Sequence, residues 1–278
     1  MAASEGVDWA GTAHAVAHDA RIACIVPSIT ETLFALGLGN SVVARTGFCI
    51  HPRGDVKRVP KIGGTKDPEL ARLRELQPTH LVVNVDENRR EDVDAARAFV
   101  PNIIVTHPMD PGDNARLFTL LGAVFDRSKE ARELIVDTAA ALAELDAIAR
   151  THPRQTVLYL IWRKPWMTVS RDTYVSRTLA RAGFDTVPQS SAVRYPKLGD
   201  DDPAWRDADR VLLSTEPYAF RERDAAELRA RRAKPVDLID GEWTSWYGVR
   251  AAYGARALAN YRRPIAADQG EQASLGDK

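Results

Sequence analysis

The chain has 278 residues, with 38 basic and 38 acidic side chains and a net charge of zero. That length allows one large domain or two modest ones, and the apolar content is enough for a real core. Charge balance gives no basis for non-specific nucleic-acid binding, and no apolar run approaches the ~18 residues of a membrane span.

Residues 1–20, MAASEGVDWAGTAHAVAHDA, contain no Lys or Arg and no continuous apolar segment. They do not read as a secretory signal as written, and a flexible N-terminus is expected there. The only two cysteines are Cys24 and Cys49. Two are too few for a disulfide framework, and Cys24, inside an apolar run, reads as a buried thiol.

An N-terminal α/β lobe is expected over 21–112. Arg21–Val26 reads as a buried strand, and Pro27-Ser28 turns it into a helix that Ser28 or Thr30 could cap and Gly37 and Gly39 close. Such a turn points backbone N–H groups over the sheet edge. A strand at 41–46, a long loop, a helix at 69–76, the Gln77-Pro78 turn, a strand at 79–84, a charged helix over 86–99 and a strand at 102–107 follow. Strands alternating with helices indicate a parallel sheet.

Residues 123–152 contain no Gly or Pro and are rich in Ala, Leu, Glu, Lys and Arg. Ala131, Leu134, Ile135, Thr138, Leu142, Leu145 and Ala149 repeat at three- and four-residue steps, one apolar stripe of a helix about 45 Å long. This stretch is expected to be a spine within a linking helical segment, 113–152.

The same grammar restarts in a C-terminal lobe expected over 153–263. It has a strand at 155–161, the loop Trp162–Trp166, a helix at 173–184 closed by Gly183, a loop at Arg194–Lys197, a short helix, and strands at 210–215 and 235–241. Clustered aromatics at 243–247 precede a last helix, and residues 264–278 are polar and expected to be disordered.

The runs IVPSITETLFALGLGNSVVARTGFCIHP and KIGGTKDPELARLRELQPTHLVV resemble the helical-backbone substrate-binding proteins of ABC importers, the receptors for vitamin B12, haem and ferric siderophores. The shared features are the Pro-Ser-x-Thr-Glu loop, the helix ending Gly-Leu, the aromatic-bearing loop after the second strand, and the text around Leu76–Val83, where Thr79-His80 departs from the usual acidic residue. The resemblance spans roughly 21–260, is specific in the first lobe and looser in the second, and is nearest to the vitamin B12 branch.

It implies two parallel-sheet α/β lobes joined by one long backbone helix, with a ligand cleft between them and little closure. It implies a monomeric, non-enzymatic protein that carries a cobalamin-like corrinoid, or else a ferric siderophore or haem. An ABC permease would be its partner and the periplasm its location. A cytoplasmic carrier or sensor without a permease is the alternative.

By match to the family, the pocket takes Pro27, Ser28, Phe48, Cys49 and His51 from the first lobe and Trp162, Trp166, Tyr195, Trp243 and Trp246 from the second. Flat rings suit a flat macrocycle. Glu69 matches the family's carboxylate for permease docking in the first lobe, and Asp202 is the candidate in the second. The basic run 154–199 places Arg163, Lys164 and Arg194 where they could favour an anionic ligand. No permanent cofactor is expected. Cys49 and His51 supply only two soft donors with no third evident, so no metal site is expected. Catalytic signatures are absent: no G-x-S-x-G, H-E-x-x-H, P-loop or paired C-x-x-C.

Overall fold

A computed structural model describes the backbone of residues 6–275 and the side chains of residues 6–265. The chain falls into two compact units. One comprises Met1–Pro108, Gly112–Thr138 and Tyr247–Val249; the other comprises Met109–Pro111, Ala139–Trp246 and Arg250–Lys278.

The first unit is a parallel α/β sandwich. Its elements are β1 (Ile22–Cys24), α1 (Pro27–Ala35), β2 (Val42–Arg45), α2 (Leu70–Glu75), β3 (His80–Asn84), α3 (Arg90–Ala96), β4 (Asn102–Thr106) and α4 (Asn114–Val124). The four strands run parallel in the order β2-β1-β3-β4. β1 and β3 are buried along their whole length, as near-continuous apolar strands of a covered parallel sheet should be. Ala23, Ile25, Ala44, Leu81 and Val83 meet Leu73, Val93 and Ala96 in one core.

Each expected strand of this unit is present but shorter at its ends. The capping expectation for α1 fails: its N-cap is Val26, with no side-chain cap. Thr30 and Thr32 instead turn inward along the helix and donate to the carbonyls of Val26 and Ser28, four residues back.

The N-terminal segment is packed rather than flexible from residue 6 onward, and residues 1–5 lie outside the described residues. Buried Asp8 is the reason: its carboxylate accepts N–H bonds from Ala10 and Thr12 at 2.9 Å and from Val105 of β4 at 3.0 Å. His14 Nε2 lies 3.1 Å from Oδ2, the oxygen that Val105 also reaches, and the Arg116 guanidinium stacks 4.1 Å over Trp9.

The spine is shorter than its composition suggested. α5 spans Ser128–Arg150, 23 residues or roughly 35 Å, and is separated from α4 by a turn at Phe125–Arg127. Asp126 is left-handed there, with φ 53°, and the Arg127 N–H bonds back to the Gly122 carbonyl. Neither Gly nor Pro marks this break, so helix propensity ran straight through it. The stripe itself is as expected: Ala131, Thr138, Leu142 and Leu145 are buried, while Arg132, Glu133 and Val136 face out.

The second unit carries β5 (Gln155–Trp162), β6 (Trp166–Thr168), α6 (Tyr174–Arg181), β7 (Phe184–Thr186), β8 (Lys197–Leu198), α7 (Pro203–Asp207), β9 (Arg210–Ser214), α8 (Glu222–Arg232), β10 (Val236–Ile239), α9 (Glu242–Ser245) and α10 (Arg250–Leu275). Its sheet order is β10-β9-β5-β6-β8, with β7 also on β5. This sheet is mixed where a purely parallel one was expected: β6 and β8 are antiparallel additions, because the chain doubles back at Arg163–Pro165 and hairpins onto β5. β5 is buried on both faces. Val157 and Tyr159 join Leu142, Leu145, Leu179 and Leu258, and Leu158 and Leu160 join Trp205, Phe220 and Leu228.

The segment expected to be disordered after residue 263 is assigned to α10 through Leu275, despite Pro264, and residues 276–278 lie outside the described residues. The helix is nucleated by its packed turns at Ala251, Ala255, Leu258 and Ala259 and propagates from them. No helix among the described residues is long and apolar enough to cross a membrane.

Candidate functional site

In an open parallel α/β sheet, ligands bind outside the carboxyl ends of the strands. In the first unit that edge is made by Ile25–Ser28 after β1, Thr46–His51 after β2, Val85–Asn88 after β3 and His107 after β4.

Asn88 ties three of these loops together. Its Oδ1 accepts from the Asn84 N–H at 2.8 Å, and its amide donates to the carbonyls of Ile25 (3.2 Å) and Thr65 (3.0 Å). Asn84 receives the Asp86 N–H at 2.8 Å, which bends the chain after β3. It caps its own loop. Buried Arg45 shapes the loop after β2 from beneath, donating to the carbonyls of Val56 at 2.7 Å, Thr46 at 3.0 Å and Cys49 at 3.1 Å.

The result is a fixed loop with one outward ring. Phe48 is 63% exposed, and Ile50 and, on the loop after β3, Val85 are exposed as well. Pro27 is half-buried. Ser28 and His51 are buried, and no well-formed hydrogen bond reaches Ser28 Oγ, whose hydroxyl neighbour is Tyr247.

Cys49 is buried, its thiol 3.2 Å from Thr30 Oγ1 and 3.3 Å from Thr46 Oγ1. Burial pushes that thiol, and still more that of Cys24, above the ordinary range, so neither is a ready thiolate. Cys49 is therefore part of the loop's anchor, not an exposed donor. Among the described residues no cluster of three or more potential metal ligands occurs.

Tyr247 is a residue whose role the sequence did not reveal. Its hydroxyl donates to Glu87 Oε1, and its phenol is driven well up, first by burial and then by that carboxylate. His107 Nε2 stands 3.3 Å from Asp86 Oδ2. These polar pairs share the strand edge with Phe48 and Pro27.

In the second unit the corresponding edge carries Trp162 and Trp166, Thr215–Phe220, and Asp240–Trp246. Here five rings form a chain. Trp162 meets Tyr218 edge-on at 5.5 Å, Tyr218 meets Phe220 at 4.6 Å, Phe220 stacks on Trp166 at 6.3 Å, and Trp166 meets Trp205 at 5.5 Å. Phe220 and Trp205 are buried, whereas Trp162, 40% exposed, is the open end of the chain. Tyr218 and Phe220 were not foreseen, because the stretch between β9 and β10 shows no clean apolar period.

Trp243 is half-buried against the α6–α10 core, with no hydrogen-bond partner for its Nε1. Trp246 is buried; it donates to Glu216 Oε2 at 2.8 Å and lies under the Arg250 guanidinium. Beneath this edge the Tyr159 phenol, pushed up to about 12 by burial, bonds Ser214 at 2.8 Å and Thr244 at 2.6 Å. That bond set joins β5, β9 and α9.

Tyr195 is not at this edge. It is exposed, between residues whose carbonyls accept from Ser170 and Thr168, so it lies about three residues down β6, roughly 10 Å from Trp166. Nor is Arg163 free to meet an anion. Its guanidinium binds both oxygens of Glu227 (2.8 and 2.7 Å) and buried Asp224. Arg194 pairs with Asp172 at 3.5 Å.

Glu69 is exposed at the N-cap of α2, and no ionic partner faces it among the described residues. Asp202 caps α7 by accepting the Ala204 N–H at 2.9 Å.

Comparison with known proteins agrees with this layout. The family model described as "Periplasmic binding protein" matches residues 22–233. The vitamin B12-binding protein of Vibrio parahaemolyticus is 23% identical over 230 residues, covering 80% of this chain and 82% of its own. The corresponding protein of Photorhabdus laumondii is 21% identical, covering 86% of each chain. Among solved structures, the periplasmic vitamin B12 binding protein BtuF of Vibrio cholerae superposes with a TM-score of 0.77 at 17% identity, covering 89% of this chain and 98% of that one. The periplasmic heme-binding protein RhuT of Roseiflexus sp. RS-1 gives 0.75 at 21% identity, covering 89% and 99%. At these identities the superpositions show a shared two-lobed fold.

Proposed function

The chain belongs to the periplasmic binding protein family, and from that premise we propose that it captures a cobalamin-like corrinoid and hands it to an ABC importer. Proteins of this family bind small ligands and work with ABC transporters. The observation that carries the corrinoid reading is the pair of ring-bearing strand edges, Phe48 with Pro27 in one unit and Trp162 with Trp166 in the other, in a chain whose curated relatives are vitamin B12-binding proteins. Open aromatic faces stack on a macrocycle through apolar burial. Haem is the second reading, favoured by solved neighbours such as RhuT.

Nothing at either edge demands a covalent step. Cys49 and His51 are buried and the Tyr247 hydroxyl is held by Glu87, so recognition rests on shape, stacking and a few fixed polar groups. Glu69 and Asp202 are proposed as the carboxylates that meet the permease.

The test is a titration of the purified chain with cyanocobalamin, haemin and a ferric catecholate, read by tryptophan fluorescence and melting temperature. Saturable quenching by cyanocobalamin is expected, weakened in Trp162→Ala by roughly 1–3 kcal/mol. Saturation by haemin alone moves the chain to the haem branch. Silence toward all three sinks the metal-chelate reading. Glu69→Ala should leave ligand affinity intact and lower uptake in a reconstituted transporter; unchanged uptake removes Glu69 from docking.

A further inference from the structure

β1 and the loop after β2 carry one cysteine each, the only two in the chain. Neighbouring strand residues face opposite sides of a sheet. Ala23 and Ile25 pack among Leu73, Val93 and Ala96, so Cys24 between them points to the other face, where Thr30 turns inward from α1. There its thiol donates to the Val26 carbonyl at 3.4 Å and has the Thr30 hydroxyl as a further hydrogen-bond partner.

Cys49 reaches the same hydroxyl from the loop. Its N–H closes a turn on the Thr46 carbonyl at 3.3 Å, which folds the chain back beside the end of β2, the strand next to β1. Its thiol then lies 3.2 Å from Thr30 Oγ1. Thr30 is held by its own bond to the Val26 carbonyl at 2.9 Å. One fixed hydroxyl therefore meets both sulfurs, and the ionisable neighbour that weighs most on Cys24 is Cys49.

Both thiols are sealed in, at 0% and 1% exposure. Burial keeps them protonated, and a thiol must ionise to react, so in the folded chain the pair is inert toward solutes. What is left to them is each other, in a reaction completed during folding, while both sulfurs are still open to an oxidant.

We propose that Cys24 and Cys49 join in a single disulfide that latches the loop carrying Phe48 to β1. Each thiol gives up one proton and one electron, and a disulfide-bearing oxidant takes both electrons. One cysteine thiolate attacks it, releasing its first thiol and forming a mixed disulfide. The other cysteine thiolate then displaces the second thiol as the Cys24–Cys49 bond closes. The periplasm, the compartment of this family, is oxidising and supplies such a reagent. The latch acts on the loop whichever ligand the edge takes, and its chemistry is independent of the corrinoid reading.

The test starts from the reduced, unfolded full chain. Refolded in oxidising glutathione buffer, it should lose two hydrogens by intact mass, leave no thiol for iodoacetamide in denaturant, and yield one peptide pair joining Cys24 to Cys49. Two free thiols, or glutathione carried on both cysteines, overturn the proposal. Reduced chain that is folded first and then given the same buffer should cross-link about tenfold more slowly or less, because it must open to react; equal rates overturn oxidation before burial. The cross-linked protein should melt about 5–10 °C above the reduced one, and the amides of residues 46–51 should exchange severalfold more slowly. Unchanged exchange there overturns the latch. Cys24→Ala and Cys49→Ala should each keep one thiol and show no rise in melting temperature in the oxidising buffer; a rise in either variant overturns the pairing.

Discussion

Gly248→Ala should be among the most damaging single-methyl additions available in the first unit. Gly248 has φ +77°, and a Cβ there would stand 2.1 Å from Thr32 Oγ1 and 3.3 Å from the Ser28 carbonyl. The backbone conformation alone costs an L-residue about 1–2 kcal/mol. Thr32 cannot swing aside freely, because its Oγ1 donates to Ser28 O at 2.9 Å and accepts the Val249 N–H at 3.0 Å. Rotating it forfeits both, at about 1 kcal/mol each. The expected loss is therefore about 3–4 kcal/mol, measured by urea denaturation followed by far-UV circular dichroism. Thr32→Ala separates the terms. In that background the 2.1 Å clash is gone and only the 3.3 Å approach to the Ser28 carbonyl remains, so Gly248→Ala should cost little beyond the backbone share of about 1–2 kcal/mol. An equal cost in both backgrounds would refute the clash, and a cost below about 0.5 kcal/mol in the parent would refute the whole account.

Asp8→Ala leaves the N–H groups of Ala10, Thr12 and Val105 without their acceptor and should destabilise the protein by about 3 kcal/mol or more, with faster thermolysin cleavage before residue 20; wild-type resistance to thermolysin would contradict this. Arg163→Ala strands buried Asp224 and should cost about 3 kcal/mol, recovered in part by Asp224→Asn; no recovery means the cost is packing. His80 has its pKa lowered by burial first and by His14 second, so the unfolded chain binds the extra proton. Its contribution is full above the unfolded value near 6.5 and is lost as pH falls below it, by at most about 1.4 kcal/mol per pH unit. Urea midpoints should drop on acidification and flatten in His80→Gln.

Strand positions were legible because parallel strands here are buried on both faces, and Ile22–Cys24, Leu81–Val83 and Val157–Leu160 are runs of apolar side chains. The aromatic edge of the second unit was legible only in part. Trp162 and Trp166 stand out by type, but Tyr218 and Phe220 sit in a stretch whose conformation is set by tertiary contacts with them. Burial was the hardest property to foresee in the loops. Cys49, His51 and Trp246 lie after strands, where ligands bind, yet hydrogen bonds to Thr30, Thr46 and Glu216 draw Cys49 and Trp246 inward. The break between α4 and α5 is equally silent in sequence, since Asp126 adopts a left-handed conformation with no glycine to announce it. Arg45 would read as a surface cation by type, and only the carbonyls around it explain its burial.

The tripeptide Tyr247–Val249 is counted with the first unit although some hundred residues of the second precede it. Gene dissection must respect that. A fragment ending near Thr138 would lack the N–H of Gly248 for Asn114, the N–H of Val249 for Thr32 and the hydroxyl of Tyr247 for Glu87. Such a half-gene product should need the peptide supplied in trans, by fusion or by circular permutation, before its parallel sheet is as well held as in the intact chain. The two units are thus spatially separable but not separable by a single cut, and shuffling of either between relatives has to carry the tripeptide with the strands it serves.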